Sequence, residues 1–113
     1  MKIAVVMDPI SNIDFKKDST LLLIYEAQKR NHDVFYIESN NLFFDGKEAC
    51  ALSSKIKVKM DRENWFSLED TNKIFLKDLD VVFMRQDPPF DMGYINNTYV
   101  LDSAEKGGVK IYN

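Results

Sequence analysis

The 113-residue chain is poor in the residue types that build metal sites and most nucleophilic enzyme centres. It contains one cysteine, Cys50, and one histidine, His32. A lone cysteine forms no disulfide within the chain, and a nitrogen–sulfur metal site needs more ligands than these two side chains supply. A histidine-dependent triad would have to be built around His32 alone. The sequence therefore predicts neither a catalytic residue nor a metal ligand in this chain.

Glycine is also scarce, and its positions argue against nucleotide binding. The four glycines are Gly46, Gly93, Gly107 and Gly108, and none follows the first predicted strand. The dinucleotide fingerprint and the P-loop both need glycines at that point, where the backbone must approach a phosphate closely. We therefore expect this chain to bind no nucleotide cofactor.

Long apolar runs and a strong charge of one sign are missing as well. The formal net charge is −3, too small to predict nucleic acid as a partner. No apolar run reaches the roughly 18 residues that a membrane span requires. The chain starts with a strand-like segment rather than a signal peptide. These features predict a single cytoplasmic domain over residues 1–113 with no membrane or nucleic-acid partner.

What the sequence does contain is the pattern of an α/β protein. Apolar runs of strand length predict buried parallel strands, and two longer segments predict helices that end at Asn31 and at Gly107. The predicted strands are Lys2–Met7, Asp33–Glu38, Leu79–Arg85 and Val109–Tyr112, and the helices cover Thr20–Arg30 and Tyr94–Lys106. We expect a Rossmann-like open, mainly parallel sheet. Its final buried-type strand usually leads to a further helix or domain, so we also expect a truncated protein.

A β-hairpin insertion interrupts this pattern between the second and third parallel strands. Asp45-Gly46 is a strong signal for a tight hairpin turn. Further on, Lys55, Lys57 and Lys59 alternate with apolar residues, which favours a solvated edge strand over a phosphate-binding patch. We interpret the following segment, around Leu68 and Ile74–Leu76, as short helical turns.

Two polar loops at the carboxyl ends of parallel strands are the candidate site. One leads through Asp18 and Ser19 into a helix N-terminus, which favours anionic groups. The other contains Arg85, a fork suited to a carboxylate, and Asp87, which can hold that fork or accept an ammonium group. Ligands of open α/β sheets bind outside these strand ends. The alternative, in which Arg85 and Asp87 only pair and cap the strand, is equally compatible with the residues.

The loops also carry a resemblance to a known family. Two long motifs in order, with a short one between them, are similar to the prokaryotic glutathione synthetases across essentially the whole chain. The segments are Met7–Ile10, Phe15–Thr20 and Glu26–Arg30, then Asn64–Ser67, and finally Asp78–Val82 with Met84–Asp91. Asn31 stands where the family has glycine, and Gln86 where lysine is frequent.

The resemblance implies the amino-terminal, pre-ATP-grasp domain of an ATP-grasp ligase. Such an enzyme joins γ-glutamylcysteine to glycine with ATP and Mg²⁺, typically as a homotetramer. The ATP and magnesium sites are expected beyond Asn113, outside this chain, which would be inactive alone. Asp18, Ser19, Arg85 and Asp87 are then expected to line the substrate cleft. The alternatives are a free-standing small-ligand-binding domain and an interaction domain whose apolar first helix docks a partner.

Overall fold

The computed structural model describes residues 1–12, 19–61, 63–86 and 91–112. These residues build an eight-stranded sheet with two α-helices and two short 3₁₀ segments, Ile10–Asn12 and Leu76–Asp78. The strands are β1 Lys2–Met7, β2 Asp33–Glu38, β3 Leu42–Asp45, β4 Glu48–Val58, β5 Phe66–Leu68, β6 Asn72–Phe75, β7 Val81–Arg85 and β8 Lys110–Tyr112. The helices are α1 Ser19–Lys29 and α2 Met92–Lys106. The predicted mixed α/β fold is confirmed.

Four strands form a parallel half of the sheet, in the order β2-β1-β7-β8. Every adjacent pair among them is parallel. Helix α1 connects β1 to β2, and helix α2 connects β7 to β8. The apolar runs explain this arrangement, because strands buried on both faces lack the alternation of half-exposed strands. Together with α1 and α2, these strands are called the parallel half below.

Two hydrophobic cores cover the two faces of the parallel half. The core on the α1 side contains nine buried residues: Val5, Met7, Ile10, Leu21, Ile24, Val34, Tyr36, Ile56 and Val58. The core on the α2 side includes Ala4, Val6, Ile37, Val82, Met84, Val100, Leu101 and Ala104. The two helices therefore lie on opposite faces of the sheet, as a doubly wound fold requires.

The remaining strands, β3 to β6, form an antiparallel half around the long strand β4. Strand β4 pairs with β2, β3, β5 and β6, all antiparallel. The predicted turn between β3 and β4 is present, with Gly46 at a φ of 63°, a backbone conformation that favours glycine.

The prediction of an edge strand at the alternating lysines is wrong. Lys55 and Lys57 lie on β4, which pairs with β2 at Lys55 and with β5 at Lys57, and Lys59 follows the end of β4. The alternation itself is confirmed, since Ile56 and Val58 are buried and Lys57 is exposed. A period of two shows that one face of a strand is exposed to solvent. It carries no information on whether the strand lies inside the sheet or at its edge.

The prediction of helical turns after Trp65 is also wrong for most of the segment. Leu68 lies on β5 opposite Ile56, and Ile74 lies on β6 opposite Ala51. Only Leu76 lies in a 3₁₀ turn. Partners distant in sequence decided the conformation of these short segments, and local pattern does not reveal such partners.

The apolar surface of helix α1 is used mainly within the domain. Leu21 and Ile24 are buried, while Leu22 is 58% exposed. The helix is followed by Asn31 at a φ of 63°, which confirms the predicted left-handed stop. The observation that suggested a partner-docking helix is thus explained mostly by packing against β1, β2 and β4. No helix of the described residues is long and apolar enough to cross a membrane.

Candidate functional site

The two candidate loops follow neighbouring strands. Strands β1 and β7 are adjacent and parallel, and their last residues, Met7 and Arg85, are register partners. From β1 the chain passes through α1 to β2 on one side, and from β7 it passes through α2 to β8 on the other. This divergence is a topological switch point, where ligands of open α/β sheets bind. We call the region above the ends of β1 and β7 the strand-end crevice.

The guanidinium group of Arg85 contacts the N-terminus of α1. Its Nε donates to Thr20 Oγ1 at 3.2 Å, and its Nη2 donates to Ser19 Oγ at 2.5 Å. Thr20 is 5% exposed and Arg85 is half-buried. Two hydroxyl acceptors orient the guanidinium plane without neutralising its charge. The helix N-terminus adds partial positive charge beside it, so this corner of the crevice favours an anion.

The structure therefore brings together two of the four predicted cleft residues, Ser19 and Arg85. The other two, Asp18 and Asp87, lie outside the described residues. The alternative pairing of Arg85 with Asp87 stays open for the same reason. The sequence predicts Thr20 only as the first residue of a helix, yet its hydroxyl is a second partner of Arg85.

A second polar group lines the α2 side of the same strand ends. The side chain of Asn97 on α2 donates to the Ser39 carbonyl at 2.5 Å and to Gln86 Oε1 at 3.1 Å. The Ser39 hydroxyl donates to Asp8 Oδ1 at 3.5 Å, and the Ser39 amide donates to the Met7 carbonyl at 2.9 Å. Residues after β1, β2 and β7 are thus joined through α2.

Sequence reasoning missed Ser39 and Asn97. A signal for Ser39 existed, because it directly follows the parallel strand β2, whose carboxyl end lies beside that of β1. Asn97 gave no such signal. A polar residue in a helix is normally exposed, and only tertiary packing reveals that this one is 4% exposed.

A buried tyrosine supports the end of β1 from the α1 side. Tyr36 Oη accepts a hydrogen bond from the Ile10 amide at 2.9 Å and donates to Glu38 Oε1 at 3.1 Å. Burial, which disfavours the phenolate, raises the pKa of Tyr36 to about 12. The hydroxyl is therefore protonated throughout the neutral range and holds the 3₁₀ turn after β1 in place.

Two residues that invite a catalytic interpretation lie elsewhere. His32 Nδ1 is 3.1 Å from the amino group of Met1, near the amino ends of β1 and β2 rather than at the crevice. Cys50 is buried on β4. Within the described residues, no group of three or more His, Cys, Asp or Glu side chains could hold a metal ion.

A separate apolar groove of about 800 Å³ opens at the opposite end of the strands. It is lined in part by Ile3, Leu79, Val81, Phe83 and Tyr112, and the rings of Phe83 and Tyr112 stack at 5.6 Å. Ile3, Val81 and Phe83 are on the α1 face of the sheet, where α1 covers β1 and β2 but the groove leaves β7 and β8 open. The lining also includes the charged residues Lys77, Asp80 and Lys110.

Comparison with known proteins gives a consistent result over the whole chain. The family model described as "Prokaryotic glutathione synthetase, N-terminal domain" matches residues 1–113. The glutathione synthetases of Wigglesworthia glossinidia brevipalpis and Escherichia coli (strain K12) are each 43% identical over 113 residues. That of Yersinia pestis is 42% identical over the same length.

These matches cover 100% of this chain but only 35–36% of each relative. The chain therefore spans about a third of the length of the curated relatives it matches. The family model matches the whole chain, residues 1–113. The chain belongs to the family of prokaryotic glutathione synthetase N-terminal domains.

Proposed function

We propose that this chain is the amino-terminal domain of a longer glutathione synthetase and that it supplies one wall of the substrate cleft. The family match and the coverage of about a third of each relative support this proposal. The reaction is the ATP-dependent ligation of γ-glutamylcysteine and glycine. The chain alone is inactive, since the ATP-grasp domain lies in the remainder of the enzyme.

The observation that carries the cleft assignment is the fixed guanidinium group of Arg85 at the switch point. Both proposed substrates carry carboxylates, and a carboxylate fits a planar guanidinium beside a helix N-terminus. Ser19 orients this guanidinium. Asp8, across the strand ends, supplies negative charge on the α2 side. Asp18 and Asp87 complete the proposed substrate-binding set on the strength of the sequence motifs.

The described residues do not fit the ATP–Mg²⁺ group. They offer no cluster of carboxylates for a divalent ion, and no glycine follows β1, where a phosphate-binding loop would begin. We therefore assign ATP and Mg²⁺ to the remainder of the enzyme, where ATP supplies the phosphoryl group that activates a carboxylate. This chain's residues bind and orient the peptide or amino-acid substrate. We further propose a cytoplasmic location, consistent with the free, buried thiol of Cys50, and a homotetramer on the strength of the family resemblance.

A chimeric enzyme tests this proposal. In the Escherichia coli (strain K12) relative, the region matched by this chain is replaced by residues 1–113, and glutathione formation is measured with γ-glutamylcysteine, glycine and ATP. We expect glycine-dependent product formation by the chimera. The same relative without its amino-terminal region, and this chain alone, should form no product above background.

The outcomes separate clearly. A chimera that unfolds cooperatively, binds ATP and forms no glutathione contradicts the proposal. If the chimera does not fold, residues 1–113 and the remainder of the relative are co-expressed as separate chains and assayed in the same way. Product formation by the relative's remainder without this chain would also contradict the assignment, because the cleft would then need no amino-terminal wall.

A further inference from the structure

Helix α2 contains one buried polar side chain, and its hydrogen bonds reach beyond the hydrophobic core around it. The buried residues of α2 are Asn97, Val100, Leu101 and Ala104, and Asn97 alone among them is polar. A primary amide transferred from water to a protein interior loses free energy unless its hydrogen bonds are replaced. The hydrogen bonds of Asn97 therefore indicate which parts of the chain its buried side chain holds together.

Those contacts reach two strand ends at once. The Asn97 amide nitrogen donates to the carbonyl of Ser39 and to Oε1 of Gln86. Ser39 directly follows β2, and Gln86 directly follows β7. Since the Ser39 amide also donates to the carbonyl of Met7 at 2.9 Å, a single side chain ties together the ends of β1, β2 and β7.

The position of Gln86 connects this network to the crevice. Successive side chains of a strand point to opposite faces, and Arg85 contacts α1 whereas Gln86 contacts α2. Helix α1 fixes the guanidinium from one face, and Asn97 fixes the next residue of the chain from the other. The backbone that carries Arg85 is therefore held from both sides.

We propose that Asn97 is a positioning residue of the substrate cleft, acting through Gln86 and the Ser39 backbone. This inference rests on the proposed function. It predicts that Asn97 affects substrate affinity without touching the substrate, because its hydrogen bonds fix the backbone next to Arg85. The chemistry is supplied by the remainder of the enzyme and should proceed normally once substrate is bound.

The first test replaces Asn97 in the chimera. For Asn97→Ala we expect the apparent KM for γ-glutamylcysteine to rise by about tenfold while kcat changes by less than about twofold, the signature of lost binding rather than lost chemistry. The matched control is Val100→Ala on the same helix, a buried residue of the α2-side core. It should lower the thermal midpoint and leave the apparent KM unchanged.

The second test asks whether Asn97 acts through Gln86. Gln86→Met removes the oxygen acceptor at similar size and should raise KM, whereas Gln86→Glu retains an acceptor and should preserve most of the affinity. When Asn97→Ala and Gln86→Met are combined, we expect the KM to rise less than the product of the two single effects. Residues of one hydrogen-bond network show this non-additivity.

Three results would overturn the inference: an unchanged KM in Asn97→Ala, an equal KM rise in Val100→Ala, or fully multiplicative effects in the double variant. If Asn97→Ala fails to fold, Asn97→Ser is measured against the same control. If the unsubstituted chimera forms no glutathione, the proposed function has failed, and hydrogen exchange on residues 1–113 tests the positioning role separately. Asn97→Ala should then accelerate exchange of the Ser39 amide by about tenfold relative to interior β1 amides, and equal acceleration would contradict the role.

Discussion

In the parallel half of the sheet, polar side chains at the strand ends are half-buried or buried and bind partners far away in sequence. Arg85 contacts Ser19, 66 residues earlier, and Asn97 contacts Ser39, 58 residues earlier. In the antiparallel half, charged side chains form exposed ion pairs, such as Lys73 with Asp45, as they also do on the helices α1 and α2. The first kind of contact orients groups at one edge, while the second covers a surface with charge.

This difference indicates which part of the sheet holds its polar side chains in fixed positions. Exposed ion pairs contribute little free energy, because solvent and salt screen them and two long side chains must be ordered. Buried polar groups carry a larger penalty when a partner is lost. Two buried polar side chains, Thr20 and Asn97, lie at the crevice, so substitutions there should affect both binding and stability. Substitutions of charged residues in the antiparallel half should affect neither strongly.

The largest expected contrast in stability comes from truncating one apolar residue in each half. Ile37 on β2 is 0% exposed, and Leu68 on β5 is 41% exposed. Ile37→Ala should lower the free energy of unfolding by about 2–5 kcal/mol, through lost transfer energy and a residual cavity. Leu68→Ala should change it by about 0.5 kcal/mol or less. Urea denaturation of the two variants measures both, and equal losses would show that burial does not decide the cost of truncation at these two positions.

A smaller effect is expected where the halves are joined. Gln28 on α1 donates to the Val58 carbonyl at 2.9 Å and accepts from the Val58 amide at 2.8 Å. Gln28→Ala should lower the free energy of unfolding by about 1–3 kcal/mol, since both backbone groups of Val58 lose a part-buried partner. Gln28→Glu keeps the acceptor and should retain part of the stability in the same urea experiment. Wild-type stability of Gln28→Ala would show that water replaces the contact at no cost.

Alkaline pH should weaken the parallel half through Tyr36. Its pKa rises from 10.0 to about 12 in the folded chain, chiefly because burial disfavours the phenolate. A folded pKa above the unfolded one means that the contribution is complete below pH 10 and is lost as the pH rises through about 12. Urea denaturation between pH 8 and 12 should show this loss, and Tyr36→Phe should lack it. The control Tyr99→Phe, at a side chain 64% exposed, should retain the wild-type slope.

The smallest effect is expected from an exposed ion pair. Lys55 Nζ lies 3.0 Å from Asp33 Oδ1, and this hydrogen bond is the main reason why the pKa of Asp33 is lowered from 3.8. Among the substitutions proposed here for stability, Lys55→Met should shift the thermal midpoint least. In about 1 M salt, the wild-type and Lys55→Met midpoints should coincide. An NMR titration should show the Asp33 pKa returning toward its ordinary value. A large, salt-independent drop in the midpoint would mean that the contact between the two halves depends on this ion pair.

The sequence was sufficient to predict the parallel half, and physical reasons explain why. Its strands are apolar runs with local stop signals, so β1 and β2 have the predicted bounds Lys2–Met7 and Asp33–Glu38. Asn31 is the predicted left-handed stop after α1, whereas α2 begins at Met92 after the N-cap Asp91 and not at the predicted Tyr94. Each of these features depends on a few neighbouring residues, which a single sequence contains.

The antiparallel half and the second wall of the crevice could not be predicted in the same way. Strands β5 and β6 are three and four residues long, and they are strands only because β4 pairs with them. Asn97 is functional in our account only because α2 places it between Ser39 and Gln86. Such features depend on contacts between distant segments, for which a single sequence gives no periodic signal.

The central claim is that the strand-end crevice, and not the antiparallel half, binds substrate. The most direct test is the apparent KM for γ-glutamylcysteine in the chimera carrying Arg85→Ala or Lys73→Ala. Lys73 is the matched cation, an exposed residue of β6 that pairs with Asp45. We predict that Arg85→Ala raises the KM by about tenfold or more, the loss expected for a charged hydrogen bond, and that Lys73→Ala leaves it unchanged. An unchanged KM in Arg85→Ala, or equal increases in both variants, would contradict the claim.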